Sequence, residues 1–168
     1  NYLEWDIVNA QNSLNEDFPE MRQSMAISLN NQLQEYLKKN IEHIKIFELG
    51  KIFGKNKNDY EEREALGVLL RTDSKNNELS NIKTAVEKLL RLTGFANIVY
   101  KESKTKPREA NPYSCWDIIA EGETLGIIYK MKSEKTIQSV YFSELDITKM
   151  TKLLEKAISN NQVHPQNA

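Results

Sequence analysis

Cysteine, histidine and glycine are all scarce in these 168 residues, and each scarcity closes a class of function. Cys115 stands alone, so no internal disulfide and no multi-cysteine metal site can form, and the composition suits a reducing, cytoplasmic setting. His43 and His164 are the only histidines, and neither has a cysteine or carboxylate at the spacing of a metal motif. Gly50, Gly54, Gly67, Gly94, Gly122 and Gly126 are scattered, so no phosphate-cradling loop exists. No run approaches the roughly 20 apolar residues that cross a bilayer, and residues 1–12 lack a basic-then-apolar signal layout, which predicts a soluble chain with no membrane partner. Charge of one sign is missing too: 23 Lys and Arg meet 24 Asp and Glu. Any contact with RNA must therefore be a local patch.

What is present is a foldable composition, 39% hydrophobic and 28% charged, at a length that suits one domain. The chain opens on Asn1 rather than Met, as a piece of a longer polypeptide or a processed chain would. Trp5, Ile7 and Val8 read as a short strand. From Pro19 the period changes, because Met21, Met25, Leu29, Leu33 and Leu37 recur every four residues, with Tyr36 widening the stripe of a long helix that ends near Asn40. Ile44 to Phe53 and Glu61 to Thr72 read as a hairpin around a flexible polar loop, Gly54 to Asp59. Within it, Phe47 and Leu49 are expected to hold the sheet to the long helix, with Glu48 on the opposite face.

A second helix covers about Ser80 to Thr93, with Gly94 as its cap. Ala96 to Lys101 is a strand, Trp116 to Ala120 and Leu125 to Met131 form a hairpin around Glu121-Gly122-Glu123-Thr124, and Val140 to Leu145 is a last strand. A helix with Met150, Leu153, Leu154 and Ile158 follows. Strands arriving mainly as hairpins predict an α+β fold, an antiparallel sheet flanked by helices, in one domain over residues 1–159 with a flexible tail at 160–168.

Candidates for chemistry are few. Cys115 beside Trp116 in a strand reads as a small buried hydrophobe. Ser24 and Ser28 lie on the long helix, not at a nucleophile elbow, and read as packing or surface hydroxyls. Glu61, Glu62 and Glu64, interrupted by Arg63, read as a solvated edge. Lys101, Lys104, Lys106 and Arg108 form the best basic patch, with Tyr100 and Tyr113 as aromatics on which a base could stack, although an ordinary solvated loop would look the same.

Three stretches carry more information: Asn12-Ser13-Leu14-Asn15-Glu16, Met21-Arg22-Gln23-Ser24-Met25, and Ile44-Lys45-Ile46-Phe47-Glu48-Leu49-Gly50-Lys51-Ile52-Phe53. Together they resemble the core of the β subunit of bacterial phenylalanyl-tRNA synthetase, in which Asn-Pro-Leu-Ser precedes Leu-Arg-Thr-Ser-Leu-Leu and a strand reading Phe-Glu-Leu-Gly-x-x-Phe. The likeness extends to Leu66–Leu70, to the Ile82–Gly94 helix and to Tyr141–Ile147. It departs where the family's His-Pro-Gly-Arg-Ser-Ala is replaced by Asn111-Pro112-Tyr113-Ser114-Cys115-Trp116, and its Gly-Glu-Leu-His-Pro by Tyr129-Lys130-Met131-Lys132.

The resemblance implies a class II synthetase-like core that does not carry catalysis, in an (αβ)2 heterotetramer whose α subunit activates the amino acid. It implies the α subunit as partner, with tRNA in the full complex, and no cofactor in this domain, ATP and Mg belonging to the full complex. It carries over no catalytic, editing or metal residue. Arg22 and Gln23, on the flank of the long helix, become the candidate surface for α, and Lys101, Lys104, Lys106 and Arg108 the candidate RNA contact. The alternative is a free-standing synthetase-like module that binds RNA or regulates through the basic loop. A small enzyme would need a site assembled from residues such as Arg22, Glu48 and Cys115.

Overall fold

The computed structural model describes residues 6–9, 20–57, 59–71, 78–132 and 139–163. Trp5, Asn12 to Asn15, Asp17, Pro19 and the end of the expected tail, 164–168, lie outside them. Alternating side chains build a long hairpin in which β3 (Ile44–Asn56) and β4 (Asp59–Arg71) pair from Ile44↔Arg71 to Asn56↔Asp59. The polar loop expected over Gly54 to Asp59 is mostly strand, and the chain reverses at Lys57, whose φ is +58°. After α2 (Glu78–Leu92) come β5 (Val99–Glu102), β6 (Ala110–Ala120), β7 (Glu123–Met131) and β8 (Val140–Asp146). The turn between β6 and β7 is tighter than expected: Glu121 and Gly122 both have positive φ, 52° and 80°, as a two-residue hairpin turn requires.

These strands form one six-stranded sheet in the order β3-β4-β8-β7-β6-β5, antiparallel throughout. β1 (Val8–Asn9) and β2 (Glu20–Met21) make a separate two-stranded ribbon beside β3, where Asp6 bridges Lys55. Helix α1 (Met25–Lys38) covers one face of the sheet, and Met25, Leu29 and Leu33 meet Ile44, Ile52, Ala65, Leu69, Tyr129 and Phe142 there. Helices α2 and α3 (Ile147–Val163) cover the other, where Ile82, Val86, Leu90 and Met150 pack on Leu70, Ile118, Ile128 and Leu145. Successive residues of the central strands thus serve opposite cores.

Three expectations are corrected. The long helix does not begin at Pro19 or Met21; Met21 lies in β2 and the helix starts at Met25, because Ser24 caps it and the Arg22 carbonyl is taken by the Phe53 N–H at 2.9 Å, which holds that residue along the sheet. The faces of β3 are the reverse of those expected. Glu48 lies under α1, whereas Phe47 and Leu49 are 75% and 63% exposed, because the register puts Ile44, Gly50 and Ile52 on the α1 side. Finally, α3 continues to Val163, into the stretch expected to be a tail.

Candidate functional site

Polar chemistry concentrates in three places, the first at the start of α1. A helix N-terminus leaves N–H groups unpaired, and here Ser24 Oγ accepts from Ala26 N at 3.0 Å while Glu144 Oε2 accepts from Met25 N at 2.6 Å and from Ser24 Oγ at 2.9 Å. Glu144 is 1% exposed in the middle of β8, so a buried carboxylate is matched to the positive end of the helix. Beside it Arg22 donates to Lys51 O at 2.8 Å, pairs with Glu48 and reaches Ser28, which donates to Glu48 at 2.6 Å. Burial pulls the Glu48 carboxyl upward, but the Ser28 and Arg22 hydrogen bonds outweigh it and hold it below the usual range. The Arg22 guanidinium, a candidate surface for α, is therefore spent inside the chain, and Gln23 is half-buried.

The second place is an open cleft of about 800 Å³ at the end of the sheet, lined by Tyr60, Arg63, Asp117, Asp146, Lys149 and Lys152 among others. Two of its cations are paired. Arg63 bridges Asp146 at 2.7 Å and Glu61 at 2.9 Å, and Lys149 bridges Glu123 at 2.9 Å. The acidic run read as a solvated edge is thus partly knotted into the wall of this cleft. Among the described residues no group of three or more His, Cys, Asp or Glu could hold a metal ion.

The third is the loop from β5 to β6. Lys101, Lys104 and Arg108 are exposed there, but Lys106 bonds to Glu102 at 3.1 Å and to Pro112 O at 2.5 Å. Of the two tyrosines only Tyr113, 92% exposed, is open for stacking. Tyr100 turns inward, its hydroxyl donating to Lys83 O at 3.4 Å and its ring lying 4.3 Å from the Lys83 ammonium. Lys132, not anticipated from the sequence, joins the patch by donating to Arg108 O at 2.8 Å. Its only sequence signal is position: it follows the strand that runs beside the loop.

No nucleophile emerges at any of these places. Cys115 is 2% exposed in the α1-side core, and burial, followed by the Asp117 charge, pushes its thiol up to about 11. Arg22 and Glu48 do come together, but as an ion pair braced by Ser28. What the sequence reading missed was Glu144, which was legible only as a charge inside a strand that also holds Ser143 and Asp146.

Compared with solved structures, the fold is similar to a crystal structure of pyrrolysyl-tRNA synthetase from Desulfitobacterium hafniense, with a TM-score of 0.64 at 14% identity over 89% of this chain and 61% of that one. It is also similar to that organism's PylSc, a pyrrolysyl tRNA synthetase, with a TM-score of 0.62 at 15% identity over 82% of this chain and 50% of that one. The chain thus spans less than two thirds of either structure. No curated protein sequence matches. The family model described as "Phenylalanyl tRNA synthetase beta chain CLM domain" matches residues 3–147, which hold the six-stranded sheet with α1 and α2, and the chain belongs to that family.

Proposed function

We propose that this domain is the non-catalytic, class II synthetase-like core of a phenylalanine–tRNA ligase β chain, the structural partner of a catalytic α subunit in an (αβ)2 assembly that aminoacylates tRNA. The observation that carries the non-catalytic reading is the closure of ionic groups on the α1 face: Arg22 on Glu48, Arg63 on Glu61 and Asp146, Glu144 on the helix start. A site for an adenylate needs cations directed at phosphate and donors directed at a carbonyl. Here the half-buried guanidinium groups of Arg22 and Arg63 pair with Glu48 and Glu61, and Tyr129, Phe142 and Leu29 fill the space beneath α1.

The surface for α is better placed on β3 than on Arg22. Strand β3 is a sheet edge, and its far half is already covered where Asp6 and Arg22 bond to Lys55 and Phe53. Phe47 and Leu49 continue that edge as exposed apolar side chains, beside a groove of about 390 Å³ that Leu66, Val68 and Ala85 also line. A partner strand or helix laid along this edge extends the row of backbone pairs and covers the apolar side chains.

Two measurements test this reading. The chain alone should give phenylalanine-dependent pyrophosphate exchange no higher than a buffer blank; exchange above it that survives repurification overturns the non-catalytic role. Phe47→Asp with Leu49→Asp should weaken association with the cognate α subunit at least about tenfold, the loss of about 1.4 kcal/mol, with the thermal midpoint unchanged. No association by the well-folded parent chain would refute the partnership.

A further inference from the structure

We infer that the β5–β6 loop, with Tyr113 and Lys132, is a preformed contact for unpaired RNA. The inference rests on the family reading only for the choice of RNA as the ligand, because the geometry by itself fits a stacked aromatic ligand carrying phosphates. Locally the charge balance differs from that of the whole chain. Lys101, Lys104, Lys106, Arg108 and Lys132 lie in or beside this loop, against Glu102, Glu109 and Asp117, the last of which stands across from Lys101 on β6.

The loop is fixed by bonds that do not use the outward cations. Ser103, 2% exposed, donates its N–H to Cys115 O at 3.1 Å and its hydroxyl to Thr105 O at 2.7 Å. Ala110 N donates to Pro107 O at 3.0 Å, and Lys132 N to Glu109 O at 2.8 Å. The Lys106 and Lys132 ammonium groups then cap Pro112 O and Arg108 O, bringing positive charge to the loop while holding its shape. Lys101, Lys104 and Arg108 remain exposed. Such an arrangement loses little conformational entropy when an anion binds.

Tyr113 supplies what a merely solvated basic loop lacks. It stands 92% exposed after Pro112, its N–H bonded to Asn111 Oδ1 at 2.9 Å, in the stretch where β6 slips register against β7 between Ala110 and Cys115. An exposed ring on a backbone fixed in this way, next to the Pro112 carbonyl that the Lys106 ammonium caps, is a stacking platform beside phosphate contacts, the combination that single-stranded nucleic acid uses. A duplex offers its ring no unpaired base, so unpaired RNA is the class favoured.

Fluorescence anisotropy of the 168-residue chain with a labelled single-stranded oligo(U) RNA, a duplex RNA of equal length and poly-glutamate as competitor tests the inference. Lys104→Glu with Arg108→Glu should weaken oligo(U) binding at least about tenfold and flatten its salt dependence, by about 0.7 in log–log slope for each phosphate no longer neutralised. Tyr113→Ala should weaken it about five- to a hundredfold with the slope retained. Lys39→Glu, an exposed change on the α1 cap, should leave binding unaltered. All four side chains are exposed, so the thermal midpoints should stay at the parent value. Equal affinity in the loop variants, equal affinity for duplex, competition by poly-glutamate as effective as by RNA, or no saturable binding at low salt each overturns the inference. Association of the same variants with α is measured in parallel: a defect in RNA binding with α binding intact separates this site from the β3 edge, whereas a defect in α binding with RNA affinity unchanged overturns the inference and assigns the loop to α.

Discussion

Side chains a single position apart on β3 belong to different environments, and this is where residue-scale chemistry can be checked. Ile52 is fully buried beneath α1 and Phe47 is 75% exposed. Ile52→Ala should therefore cost about 2–5 kcal/mol, whereas Phe47→Ala should change the unfolding free energy by no more than about 0.5 kcal/mol; urea titrations of the two variants decide it. Period-2 alternation told from the sequence that Phe47 and Leu49 share a face and Glu48 another. It could not tell which face α1 covers: Ile44, Gly50 and Ile52 lie on the covered face, where Arg22 and Ser28 give Glu48 its partners under the helix. Cys115 was legible as a buried hydrophobe, and its thiol adds a pH dependence. Burial and Asp117 raise it from 9.0 to about 11, so its contribution to stability is fully present below about pH 9 and is lost as pH rises through about 11. Wild type should lose more stability than Cys115→Ala across that interval, and native thiol labelling near about pH 8 should be slow until urea is added.

At the scale of elements, the ends of α1 and α2 were easier to read than the start of α1. Asn40, with φ of +58°, ends α1, its N–H bonding to Leu37 O at 3.0 Å and that of Ile41 to Tyr36 O at 3.0 Å. Gly94 ends α2 in the same way, as its sequence position suggested, through Phe95 N to Leu90 O at 2.9 Å. These are local signals. The start of α1 depends on Glu144, 119 residues away from Met25 in sequence, which no local pattern reports. Ser24→Ala should cost about 0.5–2 kcal/mol through removal of the cap. Glu144→Ala should cost more, because it leaves a buried N–H without its acceptor, about 1–3 kcal/mol before any cavity is counted. Since both act on one helix end, the double variant should fall short of their sum by roughly 0.5–3 kcal/mol, a coupling that a denaturation cycle measures directly. Strict additivity would mean that the two groups cap independently.

Across the whole molecule, β7 and β8 join two cores that would otherwise be separate layers. The Phe142 and Tyr129 rings lie 5.1 Å apart on the α1 side, while Leu145 and Ile128 serve α2 and α3. The sequence displayed the hairpins and so the α+β class, but not the strand order, because the β4–β8 pairing joins Arg71 to Val140 across the intervening helix and three strands. Sheet order of this kind is fixed by long-range packing, not by local propensity. The hinge of the arrangement is Gly126, opposite Leu145 on β8. A Cβ there would sit 2.1 Å from the Glu144 carbonyl oxygen and 2.9 Å from Leu145 Cδ2, and the first of these is backbone that no rotamer change can move. Gly126→Ala must therefore push β7 from β8, disturbing the strand that carries both the α1 cap and the α3 core. We expect a loss of about 3 kcal/mol or more, at the upper end of overpacking effects. We also expect near-UV and far-UV circular dichroism to shift together to lower urea, since both cores share the strand. If the far-UV transition kept its midpoint while the near-UV transition moved, the two faces would be unfolding separately, and the sheet would not be a single cooperative unit.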